Sequence, residues 1–359
     1  MAMRSRIRSS ERLGWLALAL TLAGAAYADE PAKWLERMNH ALTTLNYDGT
    51  FAHWEGGRVE MLRIIHRVEG GTVSERLVSL DGSGREFIRT GSSLACYLPD
   101  RHVVLVEHSP AKVSLLSGFP AVNRQTARFY DINDVGRMRF NQHSTHLITV
   151  MPRDQFRYGY RLWIDDSTAM PLKTQLCDAH GNVIEQLVFA NLSVRSHIPD
   201  SAFRPGISTA GFQWLRNDAP PPKETSRNEA DTVWSADPLP PGFHMTVRAA
   251  QVMPGSPGPV DHLVFTDGLA SVSVFVETTH IEVIPGQGPV MESARVGSSY
   301  AFSTIVDGHK VTAVGEVPAR TVRFIADSVK AEKTLSSIPP SPAIGAPLRG
   351  GPFVHSPRP

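Results

Sequence analysis

Between Arg58 and Glu107 the chain alternates short runs rich in Val, Ile, Leu, Phe and Tyr with turn-forming clusters. These are Glu69-Gly70-Gly71, Asp81-Gly82-Ser83-Gly84, Thr90-Gly91-Ser92 and Pro99-Asp100. Glycine, asparagine and aspartate tolerate the positive φ angles of tight hairpins, so this punctuation predicts a meander of antiparallel strands. The strand Arg58–Val68 carries Val59, Met61 and Ile65 on one face and Leu62, Ile64 and Val68 on the other. Side chains alternate across a strand, so apolar residues on both faces mean that both are at least partly covered. Either a helix and loops do the covering, or one face is an apolar concavity that takes a ligand.

The meander has a helix before it and more strands after it. Over Asp29–Asn46, Trp34, Met38, Ala41, Leu42 and Leu45 recur at three- and four-residue spacing, with Asp29 as cap and Pro31 in the first turn. The sheet starts at Tyr47–Trp54. After a less regular stretch, Pro110–Gly136, strands are predicted at Thr145–Met151, Tyr158–Asp165, Leu172–Asp178 and Val183–Leu192. Many antiparallel strands with one helix give a mainly β (α+β) fold, a curved sheet or open barrel wrapped around that helix.

Residues 206–241 read as a linker, since prolines such as Pro220, Pro221 and Pro222 interrupt a polar stretch. A second unit follows over 242–330. It has strands at Phe243–Ala250, His262–Phe265, Ala270–Glu277, Tyr300–Ile305 and Lys310–Glu316, with a hairpin at Thr266-Asp267-Gly268. Pro318 opens a helix with Val322, Ile325, Ala326 and Val329 on one stripe. Residues 331–359 are rich in Pro, Gly and Ser and lack periodicity, the composition of a disordered tail.

Residues 1–28 read as an export signal. Arg4, Arg6, Arg8 and Arg12 precede the apolar run Leu13–Ala25, and Ala26-Tyr27-Ala28 places cleavage before Asp29. The run is shorter than the about 20 residues of a spanning helix, and no cysteine follows it to carry a lipid anchor. Removing four arginines and one glutamate with this leader takes the net charge from +1 to −2, which is not the footprint of a nucleic-acid binder. Cys96 and Cys177 are the only thiols. Export permits a disulfide between them, but sequence leaves their pairing open, and small apolar core residues describe them as well.

The usual catalytic patterns are missing. There is no Gly-x-Ser-x-Gly elbow or His-Glu-x-x-His helix, and Gly286-Gln287-Gly288-Pro289 lacks the third glycine of a phosphate loop. His143 and His146 fall on opposite faces of a strand, without a carboxylate or cysteine cluster to complete a metal site. Asp165 and Asp166 sit at a turn, where backbone hydrogen bonding accounts for them. The expectation is a non-enzyme with no cofactor and no metal.

The phrases RIIHRVEGG, ERLVSLDG, REFIR and CYLPD, followed by RYGYRLWIDDSTAMPLKTQLCDAHGNVIEQLVFANL and IPDSAFRP, resemble the RseB/MucB family of periplasmic sigma-E (AlgU-type) regulators. In the second unit PGFHMT, HLVFTDGLASVSVFVE and HKVTAVGEVPARTVRFIADSV extend the likeness to about Lys330. The resemblance implies a large domain (29–205) built as a LolA/LolB-like open barrel, and a small C-terminal domain. It also implies a job. Family members bind the periplasmic part of a membrane-bound anti-sigma factor (RseA/MucA-like) and shield it from site-1 proteolysis, with lipopolysaccharide or lipoprotein acyl chains as the release signal.

On that basis the lipid-facing candidates are Phe51, Leu62, Ile64, Phe87 and Trp163, against the concave face of residues 47–192. The anti-sigma contact candidates are Phe265, Val274, Glu277, Arg320 and Arg323. A free sheet edge of the small domain could hold an extended peptide by strand addition. The alternative is a LolA-type periplasmic lipid or lipoprotein carrier without a regulatory partner. A purely structural envelope protein is the third reading, favoured if no apolar cleft exists. A homo-oligomer is compatible with all three.

Overall fold

The computed structural model describes residues 30–108, 115–116, 126–217, 233–252, 258–280 and 292–332. The leader with its cleavage site, the Asp29 cap and the Pro-rich tail beyond Glu332 lie outside the described residues.

Helix α1 (Glu30–Thr44) leads into the meander β1 (Tyr47–Glu55), β2 (Arg58–Glu69), β3 (Thr72–Ser79), β4 (Glu86–Thr90), β5 (Ser93–Leu98) and β6 (Val103–His108). A second run follows as β7 (Tyr130–Phe140), β8 (His143–Pro152), β9 (Gly159–Asp165), β10 (Pro171–Cys177) and β11 (Val183–Val194), with β12 (Gln213–Asn217) after it. β1 pairs with both β2 and β11, which joins the two runs into one sheet of order β12-β6-β5-β4-β3-β2-β1-β11-β10-β9-β8-β7. Every neighbouring pair is antiparallel except β12 with β6. The sheet stays open, with β12 and β7 as its edges.

Its curvature is set by α1, which touches β2 on one side and β7 and β8 on the other. The predicted stripe is the one buried. Trp34, Leu35, Met38, Ala41 and Leu42 pack with Tyr47, Phe51, Ile64, Ile148, Leu162, Ile164 and Phe189. The Trp34 ring stacks on His146 at 4.3 Å. Asn46 fixes the helix exit, its Oδ1 accepting from the Val68 N–H at 2.8 Å. Buried His66 lies on the Tyr47 ring and contacts the Leu45 carbonyl at 2.8 Å, and desolvation lowers its pKa. At Gly49 a Cβ would come within 2.8 Å of the Phe189 ring, so glycine is what lets β1 and β11 close there.

The outer face of β2 is covered as well. Ile65 is buried, and the segment after β11 lies nearby, held by Arg67 Nη1 to the Ile198 carbonyl (2.9 Å) and by Arg76 Nη1 to the Ala202 carbonyl (3.2 Å). Both faces of this strand are therefore covered over its second half, while Val59 at its start stays exposed.

The small unit is a sheet of order β14-β15-β16-β19-β18-β17, formed by β14 (His244–Val252), β15 (Pro259–Thr266), β16 (Ser271–His280), β17 (Glu292–Val296), β18 (Ser299–Val306) and β19 (His309–Gly315). Helix α2 (Ala319–Asp327) packs on β18 and β19, burying Val322, Ile325 and Ala326. A ribbon of β13 (Val233–Ala236) and β20 (Val329–Glu332) closes the same core through Trp234 and Val329.

Three sequence readings change. Tyr130–Phe140, partly assigned to the irregular stretch, is an edge strand whose exposed Asp131, Asn133, Val135, Arg137 and Arg139 alternate with buried or half-buried residues, with a bulge between Asp134 and Gly136, and its polarity disguised it. Within the supposed linker, Gln213–Asn217 pairs with β6 and Val233–Ala236 pairs with β20, while residues 218–232 lie outside the described residues. Backbone pairing to β6 holds β12 in the sheet even though Trp214 and Leu215 remain exposed. Glu292–Val296 is a further strand, fully exposed and without the apolar alternation that announces one.

The two units meet through a buried ion pair. Arg157 of the large unit and Asp267 of the small one lie 3.0 Å apart, both side chains fully buried. The Tyr130 hydroxyl donates to the same Asp267 oxygen at 3.0 Å, and Arg157 also reaches the Pro241 carbonyl. Around it, Thr321 Oγ1 donates to the Phe156 carbonyl (2.7 Å), the Phe156 and Phe324 rings meet edge-on at 5.5 Å, and Arg320 donates to Gln155.

Candidate functional site

The concave face is not completely filled. A cavity of about 280 Å³ remains, lined by Phe51, Leu62, Leu77, Tyr160, Leu176 and Leu187, with Leu115 and Leu116 against it. Period-two alternation puts these groups there. Phe51 faces Leu62 across β1–β2 and Phe189 across β1–β11, and His53 faces Leu187. This volume is at the lower edge of ordinary ligand sites.

One part of the lining is polar and joins the two units. His53 Nε2 and Glu185 Oε1 are 2.8 Å apart. That hydrogen bond raises the His53 pKa against the opposing effect of burial, helped by the charges of Glu185, Glu55 and Glu60. Burial pushes Glu185 upward, but its bond to His53 and the His53 charge outweigh it and the net shift is downward. Glu316, which follows β19 and also lines the cavity, is pushed up to about 7 by desolvation and by the neighbouring Glu185 and Glu55 carboxylates. The hydroxyl of buried Ser298 connects the set, 2.9 Å from Glu55 Oε1 and 2.7 Å from Glu316 Oε1.

The sequence-derived lipid candidates separate on this map. Phe51 and Leu62 line the cavity. Ile64 faces the same way but is 0% exposed, packed in the core cluster that includes α1. Phe87 follows Leu77 in the next strand, half-buried, and is not among the cavity's lining residues. Trp163 is a correction. Leu162 and Ile164 point into the core, so Trp163 stands on the opposite face, where Nε1–H reaches Met138 Sδ at 3.0 Å and Lys173 covers the ring.

The partner candidates also change. Phe265 (1% exposed) and Val274 (0%) are core residues of interior strands, so neither offers a surface, because alternation hides one face of each strand. Among the described residues the edges of this sheet are β14 and β17 instead. Glu277 is half-buried with Lys310 3.9 Å away, exposed Arg323 lies 3.5 Å from Asp327, and Arg320 is engaged with Gln155. Sequence reasoning missed the His53–Glu185–Ser298–Glu316 group entirely, for its members come from distant strands.

Other chemistry is local. Asp165 Oδ1 accepts from the N–H and hydroxyl groups of Ser167 and Thr168, the turn role expected of it. His143 pairs with Asp165 and His146 with Asp134. Among the described residues no group of three or more His, Cys, Asp or Glu is arranged to hold a metal. Cys96 and Cys177 are both free, and burial, with Glu107 nearby, pushes the Cys96 thiol up to about 11. No described helix is long and apolar enough to cross a membrane.

Known proteins share this arrangement. Residues 30–207 match the MucB/RseB N-terminal domain and residues 228–330 the MucB/RseB C-terminal domain. The chain is 30% identical to the sigma factor AlgU regulatory protein MucB of Pseudomonas aeruginosa, over 88% of this chain and 95% of that protein. It is 28% identical to the sigma-E factor regulatory protein RseB of Salmonella typhimurium, over 88% of this chain and 97% of that one. A solved Pseudomonas aeruginosa MucA/MucB complex superposes with a TM-score of 0.64 at 29% identity, covering 85% of this chain and 99% of that one. With both domains matched in order, and an open sheet around a helix followed by a small sheet closed by a helix, the chain belongs to the MucB/RseB family.

Proposed function

We propose that this chain is an exported periplasmic regulator that binds the periplasmic region of a membrane-bound anti-sigma factor and shields it from site-1 proteolysis. It thereby restrains an envelope-stress sigma factor, and it releases its partner when an acyl chain of lipid or lipoprotein occupies the cavity. The observation that carries this reading is an apolar cavity in a two-unit chain whose family relative MucB is named a sigma factor regulatory protein and has been solved with MucA. A lipid can weaken the partner's hold only through a difference in its affinity for the bound and released states. An acyl chain gains about 0.8 kcal/mol per buried methylene, enough for a modest cavity to respond to free lipid.

The carrier reading rests on the cavity alone, and a carrier of this type needs only the large sheet. The small sheet, tied to the large one by Arg157 and Asp267, favours regulation. For the protein contact, β14 and β17, the sheet edges among the described residues, are better placed than β15 and β16 to add a strand.

The test is a protection assay. The periplasmic segment of the cognate anti-sigma factor is exposed to its site-1 protease with and without residues 29–359. Protection that disappears on adding lipopolysaccharide or lipoprotein fragments is the expected result, whereas lipid binding without protection would leave only the carrier. Leu187→Trp fills the cavity. It should displace at least two methylenes' worth of contact and weaken acyl binding about tenfold or more. Protection should survive in this variant but no longer respond to lipid. Unchanged acyl affinity would place the lipid elsewhere.

A further inference from the structure

The contact at Ser298 is short of hydrogens. Its hydroxyl has one proton, yet the oxygen lies 2.9 Å from Glu55 Oε1 and 2.7 Å from Glu316 Oε1, and its backbone N–H already donates to Glu55 Oε1 at 2.7 Å. A hydroxyl can donate to only one of two carboxylates. If Ser298 donates to Glu55, the short contact with Glu316 requires a proton on Glu316 that is donated back to Ser298 Oγ. Glu185 lines the same cavity as Glu316, and its negative charge beside Glu316 favours the protonated carboxyl there. Glu55 and Glu185 belong to the large sheet, Ser298 and Glu316 to the small unit.

We propose that this cluster is a proton-operated latch, in which a proton on Glu316 seats the β17–β18 turn of the small unit against β1 and loss of that proton unseats it. The latch goes beyond the regulatory reading and stands whether or not the cavity takes lipid. Its position gives it a consequence, because Glu316, Glu185 and His53 line the cavity. Unseating the turn would alter that wall while Arg157 and Asp267 keep the units joined.

The surrounding charges set the direction. Facing Glu316 are His53 and Glu55 from β1, Glu185 from β11, and Tyr158 and Tyr160 at β9, with Glu60 acting on His53. Arg58 and Arg295 line the adjoining cleft with Glu55 and Gly297. Burial holds both tyrosines above their ordinary range, so they stay neutral. Glu316 has its pKa raised to about 7 in the seated state, so its contribution is complete below the ordinary carboxylate value of 4.5 and is lost as pH rises through 7. His53 is raised by Glu185, Glu55 and Glu60 of its own sheet, so the contribution it loses on the alkaline side belongs to the large sheet and not to the seating. Glu185, lowered, contributes fully above 4.5 and loses that contribution only as pH falls further, outside the range in which Glu316 titrates. The latch therefore tightens on acidification from neutral pH.

The test is a distance measured on the whole mature chain. Spin labels are placed at Val59→Cys and Val296→Cys, positions 63% and 80% exposed, in a Cys96→Ser background. Dipolar spectroscopy should give one short distance at pH 5.5 and a longer population that grows towards pH 8 with a midpoint near 7. Glu316→Gln keeps a donor for Ser298 at every pH and should hold the short distance throughout. Glu55→Gln removes one crowding charge, keeps an acceptor, and should move the midpoint to lower pH. A wild-type distance that does not change between pH 5.5 and 8 overturns the latch. So does either variant titrating like wild type.

Discussion

Asp267→Ala is expected to cost the chain about 3 kcal/mol, near the low end for removing one partner of a buried ion pair. Arg157 would be left fully buried at the junction of the two units. The cost stays at that end because Asp154 still faces its Nε at 3.3 Å. Part of the loss is local, since Asp267 Oδ1 also accepts the Leu269 and Ala270 N–H groups in the β15–β16 turn. Asp267→Asn can keep those turn bonds and removes only the charge, so it should retain most of the penalty. Urea denaturation reads both. Asp131→Ala serves as the control, because the Arg153–Asp131 pair is more than half exposed on both sides and should be worth under about 1 kcal/mol. Equal losses for Asp267→Asn and Asp131→Ala would mean that the buried pair does not hold the units together.

Ile64→Ala should destabilise by about 2–5 kcal/mol, the range for removing a large aliphatic side chain from a closed core. Ile64 is fully buried, with α1 side chains in the same core cluster, whereas Leu62, two residues earlier on the same face, borders the cavity. The two positions therefore test different things. At Ile64 the loss should appear in the denaturation midpoint, and acyl binding per folded molecule should be unchanged. Leu62→Ala should weaken acyl binding with a smaller stability loss, because its void merges with existing space. A reversed pattern would put the ligand beneath the helix.

These contrasts mark the reach of sequence reading. The strands of the meander, the stripe of α1 and the turn at Asp165 were legible because each depends on neighbours a few residues apart. The LolA-like curvature was expected from the number of strands and the resemblance, and an open, mainly antiparallel sheet curved over α1 is what forms. β7 was hidden by polar residues on its exposed face. β12 and β17 gave no apolar alternation, being edge strands held by backbone pairing.

By itself the sequence determined the mainly β class, the two units, the helix that the large sheet wraps and the pairing of apolar rows along β2. Alternation states which residues share a face of a strand, but not which face becomes concave. That was decided by where α1 docks, and it separated Leu62 from Trp163. The tertiary structure alone placed Phe265 and Val274 inside the small core, brought Arg157 to Asp267, and set His53, Glu185 and Glu316 at one wall of the cavity, with Ser298 bonded to both Glu55 and Glu316. Such groups come together through sheet register and the docking of one unit on another, long-range contacts that leave no periodic trace in the chain.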